Sequence, residues 1–266
     1  MSFAKDFKIG LSSYGKALKF LTSKGLGVYM LFPLILMILY VFAMSFVSSG
    51  LSESVKEYVI SSIGLNDADF FGSDFLGFIT SGFVSIFSTL LIFTILSYAG
   101  GYIILIIMSP VLSILSEKTD KILTGNDYPF SIQQTMRDIS RGVLIALRNG
   151  LYGAGLSILV FISMLIPVIG QIILVFSPFI FFIISSYFYG FSFIDYSNER
   201  AKRNIKQSVS FVRQHKGLAL SNGIVFSIFL AIPFVGSYIA AFVSVWSVIA
   251  ATIAVYEIEN KALKTA

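Results

Sequence analysis

Four long stretches without a single charged residue dominate the chain. They run from 25 to 52, 75 to 116, 149 to 194 and 217 to 256, with 28, 42, 46 and 40 residues respectively. Together they make up 156 of 266 residues. About 18 or more apolar residues without charge suffice to cross a bilayer as a helix, so each run predicts at least one membrane helix. The first contains an apolar stretch at 26–46, long enough at about 1.5 Å per residue to cross roughly 30 Å of hydrocarbon. This exceeds the 7–15 residues of a signal-peptide core, so a retained span is expected. The second run is too long for one simple crossing. A full span is expected at 75–98, followed by a bend at Gly100, Gly101 and Pro110. On that span Gly77, Ser81, Ser85 and Ser88 share one face, suited to close helix packing.

Runs three and four each carry a break near the middle. One reads Ile166-Pro167-Val168-Ile169-Gly170-Gln171, and the other, 66 residues later, reads Ile232-Pro233-Phe234-Val235-Gly236-Ser237. Proline disfavours helix in the residue before it and glycine permits turn geometry, so helical hairpins are predicted at 149–194 and 217–256. The 16-residue arm of the second would reach about 24 Å, short of a full core. Neither tip is charged. The expectation is therefore two full crossings plus two hairpins whose tips stop inside the membrane; six short complete spans satisfy the same charge pattern. The two hairpins also form a weak internal repeat, and broken helices near the midplane are a transporter device.

The charged segments between the runs set orientation. Residues 1–24 hold five lysines against Asp6, 117–148 and 195–216 are rich in Lys and Arg, and 47–74 holds five acids against Lys56. The positive-inside bias places 47–74 outside and both termini in the cytoplasm. It also explains the net charge of +5 and pI near 9.3 without a nucleic-acid partner. Residues 1–24, with Phe3, Phe7, Leu11, Tyr14, Leu18 and Leu21 at helical spacing, predict an interfacial helix anchored on lipid headgroups. Two more are expected: one on Ile132, Met136, Ile139, Val143 and Leu147, and one over about 199–216, ending at a snorkelling His215.

Composition excludes much else. Only 12% of residues are charged and mean hydropathy is +0.86, which excludes a soluble globule. No cysteine and a single histidine exclude thiol chemistry and multi-histidine metal sites, so no cofactor or metal is expected. There is no phosphate-binding loop, no paired intramembrane carboxylates and no nucleophile–base pair, and no enzymatic activity is expected. Gln171, beside the first tip, is read as a cap on the break.

Over about residues 10 to 258 the chain resembles the CysZ sulfate permeases of bacteria, relatives of the eukaryotic etoposide-induced membrane proteins. The resemblance rests on the order and spacing of several modest motifs. These are Gly25 with Pro33-Leu34, Ser109-Pro110 leading to Glu117, Asp120 and Leu123-Thr124-Gly125, then Asp138 and Arg141, the hairpin break at Pro167, Asp195-Tyr196, Lys206, Arg213, Lys216, and the break around Pro233. It implies an all-α integral membrane fold with two long spans and two partly penetrating hairpins. It also implies a homo-oligomer in the bacterial inner membrane that passes sulfate or a related oxyanion inward for cysteine synthesis. The anion site it implies lies at Lys24, Gly25, Leu26 and Gly27, where a helix start offers backbone N–H donors. An arginine pair typical of the sulfate-transporting branch is replaced here by Gly27 and Val28. The hairpin tips, Pro167, Gly170, Gln171, Pro233, Gly236 and Ser237, are expected to form the narrow part of a pore. The alternative is a structural, non-transporting member of the same family.

Overall fold

The computed structural model describes residues 2–63, 73–126, 132–233 and 235–265, and no strand occurs among them. The helices in chain order are α1 (Phe3–Ser23), α2 (Leu31–Ile63) entered through a 3-10 turn (Leu26–Met30), α3 (Ser73–Thr124), α4 (Ile132–Ser163), α5 (Ile169–Arg200), α6 (Ile205–Gln214), α7 (Lys216–Leu230) and α8 (Gly236–Thr265). Four stretches are long and apolar enough to cross a membrane: Leu26–Ser62, Ser140–Ser163, Ile169–Arg200 and Gly236–Asn260. The protein is an all-α, multi-pass membrane protein.

The core is built around α8, which packs on α1, α3, α5 and α7. Its buried residues are small or β-branched: Ala240, Ala241, Ser244, Val248, Ala250, Ala251, Thr252 and Ala254. Small side chains let neighbouring backbones come close, which is how helices associate where lipid is as apolar as the protein. The closest approach is the crossing of α5 and α7. A Cβ at Gly190 would fall 1.8 Å from the Ala219 carbonyl oxygen, and one at Gly223 would fall 1.6 Å from that of Ser186. Ser186 and Gly190, like Ala219 and Gly223, are four residues apart, so two small-xxx-small faces meet. On another side of α7, Gly217 takes the Phe3 backbone and Ser221 sits against Gly10 of α1.

Large apolar side chains point the other way. Phe42, Phe46, Phe78, Phe83, Ile106, Leu151, Val175 and Phe179 are exposed, the inverse of a soluble protein and the surface that lipid covers. On α3 the small residues Ser81, Ser85 and Ser88 are less exposed than Phe78, Phe83 and Phe87, with Ser88 buried. They form the inward face.

Several elements differ from the sequence-based expectation. The first span does not end near Phe46: α2 runs on through the polar stretch to Ile63. That stretch has no proline and includes the good helix formers Leu51, Glu53, Lys56 and Glu57, and α2 packs on α3. In α3 the helix is continuous through Gly100, Gly101 and Pro110. Pro110 forfeits one backbone hydrogen bond, but buried Met108, Leu112 and Leu115 anchor the helix on both sides. The segment around Met136 is not a separate interfacial helix, because α4 is one helix from Ile132 to Ser163. Side chains 132–139 and 143 lie outside the described ones.

In α1 the inward face is Asp6, Ile9, Gly10, Ser13, Tyr14, Ala17 and Leu21, while Phe3, Leu11 and Leu18 face outward and the lysines occupy a third sector. The helix packs on α7 and α8 along its length rather than only lying on a surface. Tyr14 is central to that contact. Its hydroxyl donates to the Asn222 carbonyl (2.7 Å) and bonds Ser247 Oγ (2.9 Å), and the Trp246 indole donates to its carbonyl at 2.8 Å. Burial raises the Tyr14 hydroxyl pKa far above its usual value, so it stays neutral.

Candidate functional site

The four residues expected to hold an anion form one turn between α1 and α2. Lys24 caps α1, its N–H donating to the Phe20 carbonyl at 3.1 Å, and its side chain is exposed. Gly25 has φ +72°, the left-handed conformation glycine adopts without penalty at a helix C-terminus. Leu26 then buries its side chain and starts the 3-10 turn. A Cβ at Gly27 would lie 2.9 Å from the Leu21 carbonyl oxygen, whereas the Val28 side chain is 56% exposed. The turn as built therefore resists a side chain at 27 and accepts one at 28. No local pattern pointed to Lys118, whose Nζ sits 5.4 Å from the Tyr29 ring centroid. It brings a cation from α3 to the end of the 3-10 turn that follows.

The two hairpin tips share the same pair of backbone hydrogen bonds. In the first, the Ile169 N–H donates to the Pro167 carbonyl (2.8 Å) and that of Gly170 to Ile166 (2.7 Å). In the second, Val235 donates to Pro233 (2.8 Å) and Gly236 to Ile232 (2.8 Å). Each glycine is required for close approach. A Cβ at Gly170 would meet the Met164 carbonyl oxygen at 2.0 Å, and one at Gly236 that of Leu230 at 2.3 Å. Between the bonded residues of the first tip, Val168 takes φ 67° and ψ −57°, the strained geometry of a γ-turn. Pro167, Gln171 and Pro233 are exposed, while Gly170, Gly236 and Ser237 are buried.

The second tip lies beside Tyr40 of α2, the Tyr238 and Tyr40 rings being 6.4 Å apart. Counting about 2 Å per residue through the 3-10 turn and 1.5 Å along α2, Tyr40 is about 24 Å from Leu26. The Lys24 turn and the second tip therefore occupy different levels and do not make one compact site.

The structure gathers a polar network where α4, α5, α6 and α8 meet, a feature of which only the individual members were visible in the sequence. Arg141 binds the Asp195 carboxylate through Nε (3.3 Å) and a terminal nitrogen (3.1 Å), and also reaches Ser208 Oγ (2.7 Å) and the Arg203 carbonyl. Arg203 pairs with Glu259, binds Asn198 Oδ1 at 2.9 Å and stacks 4.3 Å from the Phe211 ring. Arg200 reaches Ser116 Oγ (2.5 Å), whose hydroxyl also bonds Thr252 Oγ1 at 2.6 Å. Lys16 pairs with Glu257. His215 does not snorkel. Its Nδ1 is 2.9 Å from Asp6 Oδ2, and both groups are largely withdrawn from solvent, because Gly217 draws α1 against the start of α7. The signal for this network was present in acids placed at the ends of apolar runs, next to tyrosines.

Between α3, α4 and α5 lies a cleft of about 670 Å³, walled by Leu105, Ile106, Ile145 and Phe193, with Ser109, Asp195, Tyr196 and Glu199 as its polar lining. The Tyr196 hydroxyl donates to Ser109 Oγ at 3.3 Å. Such an apolar cleft with a few polar groups can admit a solute or an acyl chain. Among the described residues, no group of three or more His, Asp or Glu gathers to hold a metal ion.

Comparison with known proteins places these features in a family. Residues 13–254 match the family model described as Sulfate transporter CysZ/Etoposide-induced protein 2.4. Among curated proteins, Sulfate transporter CysZ of Vibrio parahaemolyticus serotype O3:K6 is 28% identical over 130 residues, covering 48% of this chain and 51% of the relative. Sulfate transporter CysZ of Vibrio atlanticus is 27% identical over 150 residues, covering 54% of this chain and 58% of the relative. The chain thus spans little more than half the length of the curated relatives it matches. The family match itself covers nearly the whole chain, and the chain belongs to that family.

Proposed function

As a member of the CysZ/etoposide-induced protein family, this chain, we propose, is a passive conduit for sulfate or a related small oxyanion across the bacterial inner membrane, supplying cysteine synthesis. The carrying observation is the family match over residues 13–254, joined to a turn that presents a helix start beside Lys24, with Lys118 at the Tyr29 ring of the same 3-10 turn. In this reading the anion meets the backbone N–H groups at Leu26 and Gly27, which a helix start leaves without intrahelical partners, and Lys24 supplies charge. The hairpin tips form the narrow passage, where backbone and helix ends, rather than buried charges, meet the ion. Both termini face the cytoplasm. The second tip, about 24 Å along α2 from Leu26, stops short of a hydrocarbon core of about 30 Å. The exposed apolar first hairpin is covered by lipid or by further copies of the chain in a homo-oligomer.

Uptake of labelled sulfate into proteoliposomes tests the proposal, with a known sulfate permease as positive control. Flux above that of empty vesicles, reduced by Lys24→Glu with membrane insertion unchanged, is expected. Flux no higher than that of empty vesicles overturns it. Val28→Arg, at a position with room for the side chain, is expected to raise apparent sulfate affinity about tenfold, the worth of one charged hydrogen bond.

A second reading, a structural member without transport, is favoured by one observation: Gly27 leaves no room for a side chain where the sulfate-transporting branch carries arginine. Conductance indifferent to both Lys24→Glu and Val28→Arg selects it.

A further inference from the structure

The cations of the polar face are not equally provided for. Arg141, Arg203, Lys16 and His215 each meet a carboxylate. Arg148 is different. Its guanidinium lies 4.7 Å from the Tyr152 ring and 5.5 Å from that of buried Phe191, and donates to the Asn149 amide oxygen at 3.0 Å. These contacts fix and partly desolvate a charge without neutralising it. It faces a pocket of about 490 Å³ between α4 and α6 whose other polar walls are Lys206, Ser210, Arg213 and Gln214. No carboxylate is among the described residues that line it. Three like charges around one hollow, one of them held between two aromatic rings, repel each other unless an anion enters.

The location says which anion. On α4 the pocket is flanked by Leu147 and Leu151, both strongly exposed, and the exposed apolar arm of the first hairpin continues from there. Tyr152 sits at that boundary, half apolar and half polar, as tyrosines do at the edge of a bilayer. A phosphate whose acyl chains run down the α4 arm satisfies both halves of the environment at once. Ser210 and Gln214, linked by a 3.3 Å hydrogen bond, offer neutral partners for a glycerol headgroup.

We propose that Arg148, Lys206 and Arg213 form a binding site for the phosphate of an anionic phospholipid, seated between α4 and α6 at the membrane surface. The site is independent of the transport reading. A basic pocket beside a membrane helix gains roughly fivefold in affinity per cation for an anionic headgroup.

Native mass spectrometry of the full-length protein, titrated with phosphatidylglycerol or phosphatidylcholine of identical acyl chains, tests it. Phosphatidylglycerol is expected to bind its first site at least tenfold more tightly. The triple variant R148Q/K206Q/R213Q is expected to lose that preference, whereas neutralising Lys5, Lys8 and Lys19 on α1 keeps it. Millimolar inorganic phosphate is expected to leave the lipid bound. Equal binding of the two lipids, or a preference that survives in the triple variant, overturns the proposal. Displacement by inorganic phosphate also overturns it and assigns the pocket to free oxyanions. If the triple variant does not fold, the exposed Lys206→Gln alone is expected to reduce the preference about fivefold, and no change overturns the proposal.

Discussion

The two helical hairpins share a turn and almost nothing else. Each has the pattern Ile-Pro-x-(Ile/Val)-Gly, the same pair of backbone hydrogen bonds and a glycine pressed onto a carbonyl six residues earlier. The most apolar 18 residues of the second arms, Ile169–Arg200 and Gly236–Asn260, are even matched in mean hydropathy, at 2.1. Yet within the most apolar 18 residues of each arm, 17% are buried in the first and 78% in the second. What separates them is side-chain size. α8 carries alanines, serines and a threonine on the faces that meet its neighbouring helices, whereas α5 over 172–183 carries Ile, Val and Phe residues too bulky for close backbone approach. In lipid there is no hydrophobic drive between helices, so packing depends on how closely backbones come. Apolarity sends a segment into the membrane, and smallness sends it into the core.

This contrast can be broken first at the crossing of α5 and α7. Gly223→Leu places a side chain where a Cβ already falls 1.6 Å from the Ser186 carbonyl oxygen. It is expected to cost more than about 3 kcal/mol, read as loss of a monodisperse folded species on size exclusion. Next, Ile249→Ala on α8 is expected to destabilise by about 2–5 kcal/mol, since Ile249 is fully buried. Ile172→Ala, at an exposed position of the matching arm, is expected to change thermal unfolding by less than about 0.5 kcal/mol. Equal effects would refute the division into core and lipid-facing hairpins.

The tips sharpen the comparison. Gly170→Ala and Gly236→Ala meet nearly the same obstruction, so a purely local turn predicts equal losses. The structure predicts about 1–3 kcal/mol for Gly236→Ala and a smaller loss for Gly170→Ala, because the first hairpin has fewer neighbours to prevent relaxation. The smallest effect is a gain. Val168→Gly removes the penalty of φ 67° and is expected to stabilise by at most about 1 kcal/mol in the same melting assay, after the cost of a more flexible unfolded chain.

Much of this was legible residue by residue. The uncharged runs fixed the membrane class because charge is expensive in hydrocarbon wherever it falls. The pentapeptide at each break fixed a turn because proline and glycine act through their own φ and ψ. The 66-residue repeat announced that the two turns would match. Less was legible where partners come from distant segments. Asp6 and His215 are 209 residues apart, and Arg141 and Asp195 are 54 apart, so no local pattern pairs them. His215 looked interfacial because its neighbours are basic. It is tied to α1 because Gly217 lets α7 reach it. The candidate anion turn was legible as a turn, from Gly25, but Lys118 reaches Tyr29, at the end of the 3-10 turn that follows, only in the folded chain.

By itself, then, the sequence determined an all-helical membrane protein, its two hairpin turns and the family to which it belongs. These follow from hydropathy, backbone preference and short motifs, all of which act locally. The tertiary structure alone decided which hairpin became core, which cations found carboxylates, and that Arg148, Lys206 and Arg213 were left facing one hollow. Those outcomes depend on how closely helices approach and which side chains then meet, and both are set by small residues on several helices at once.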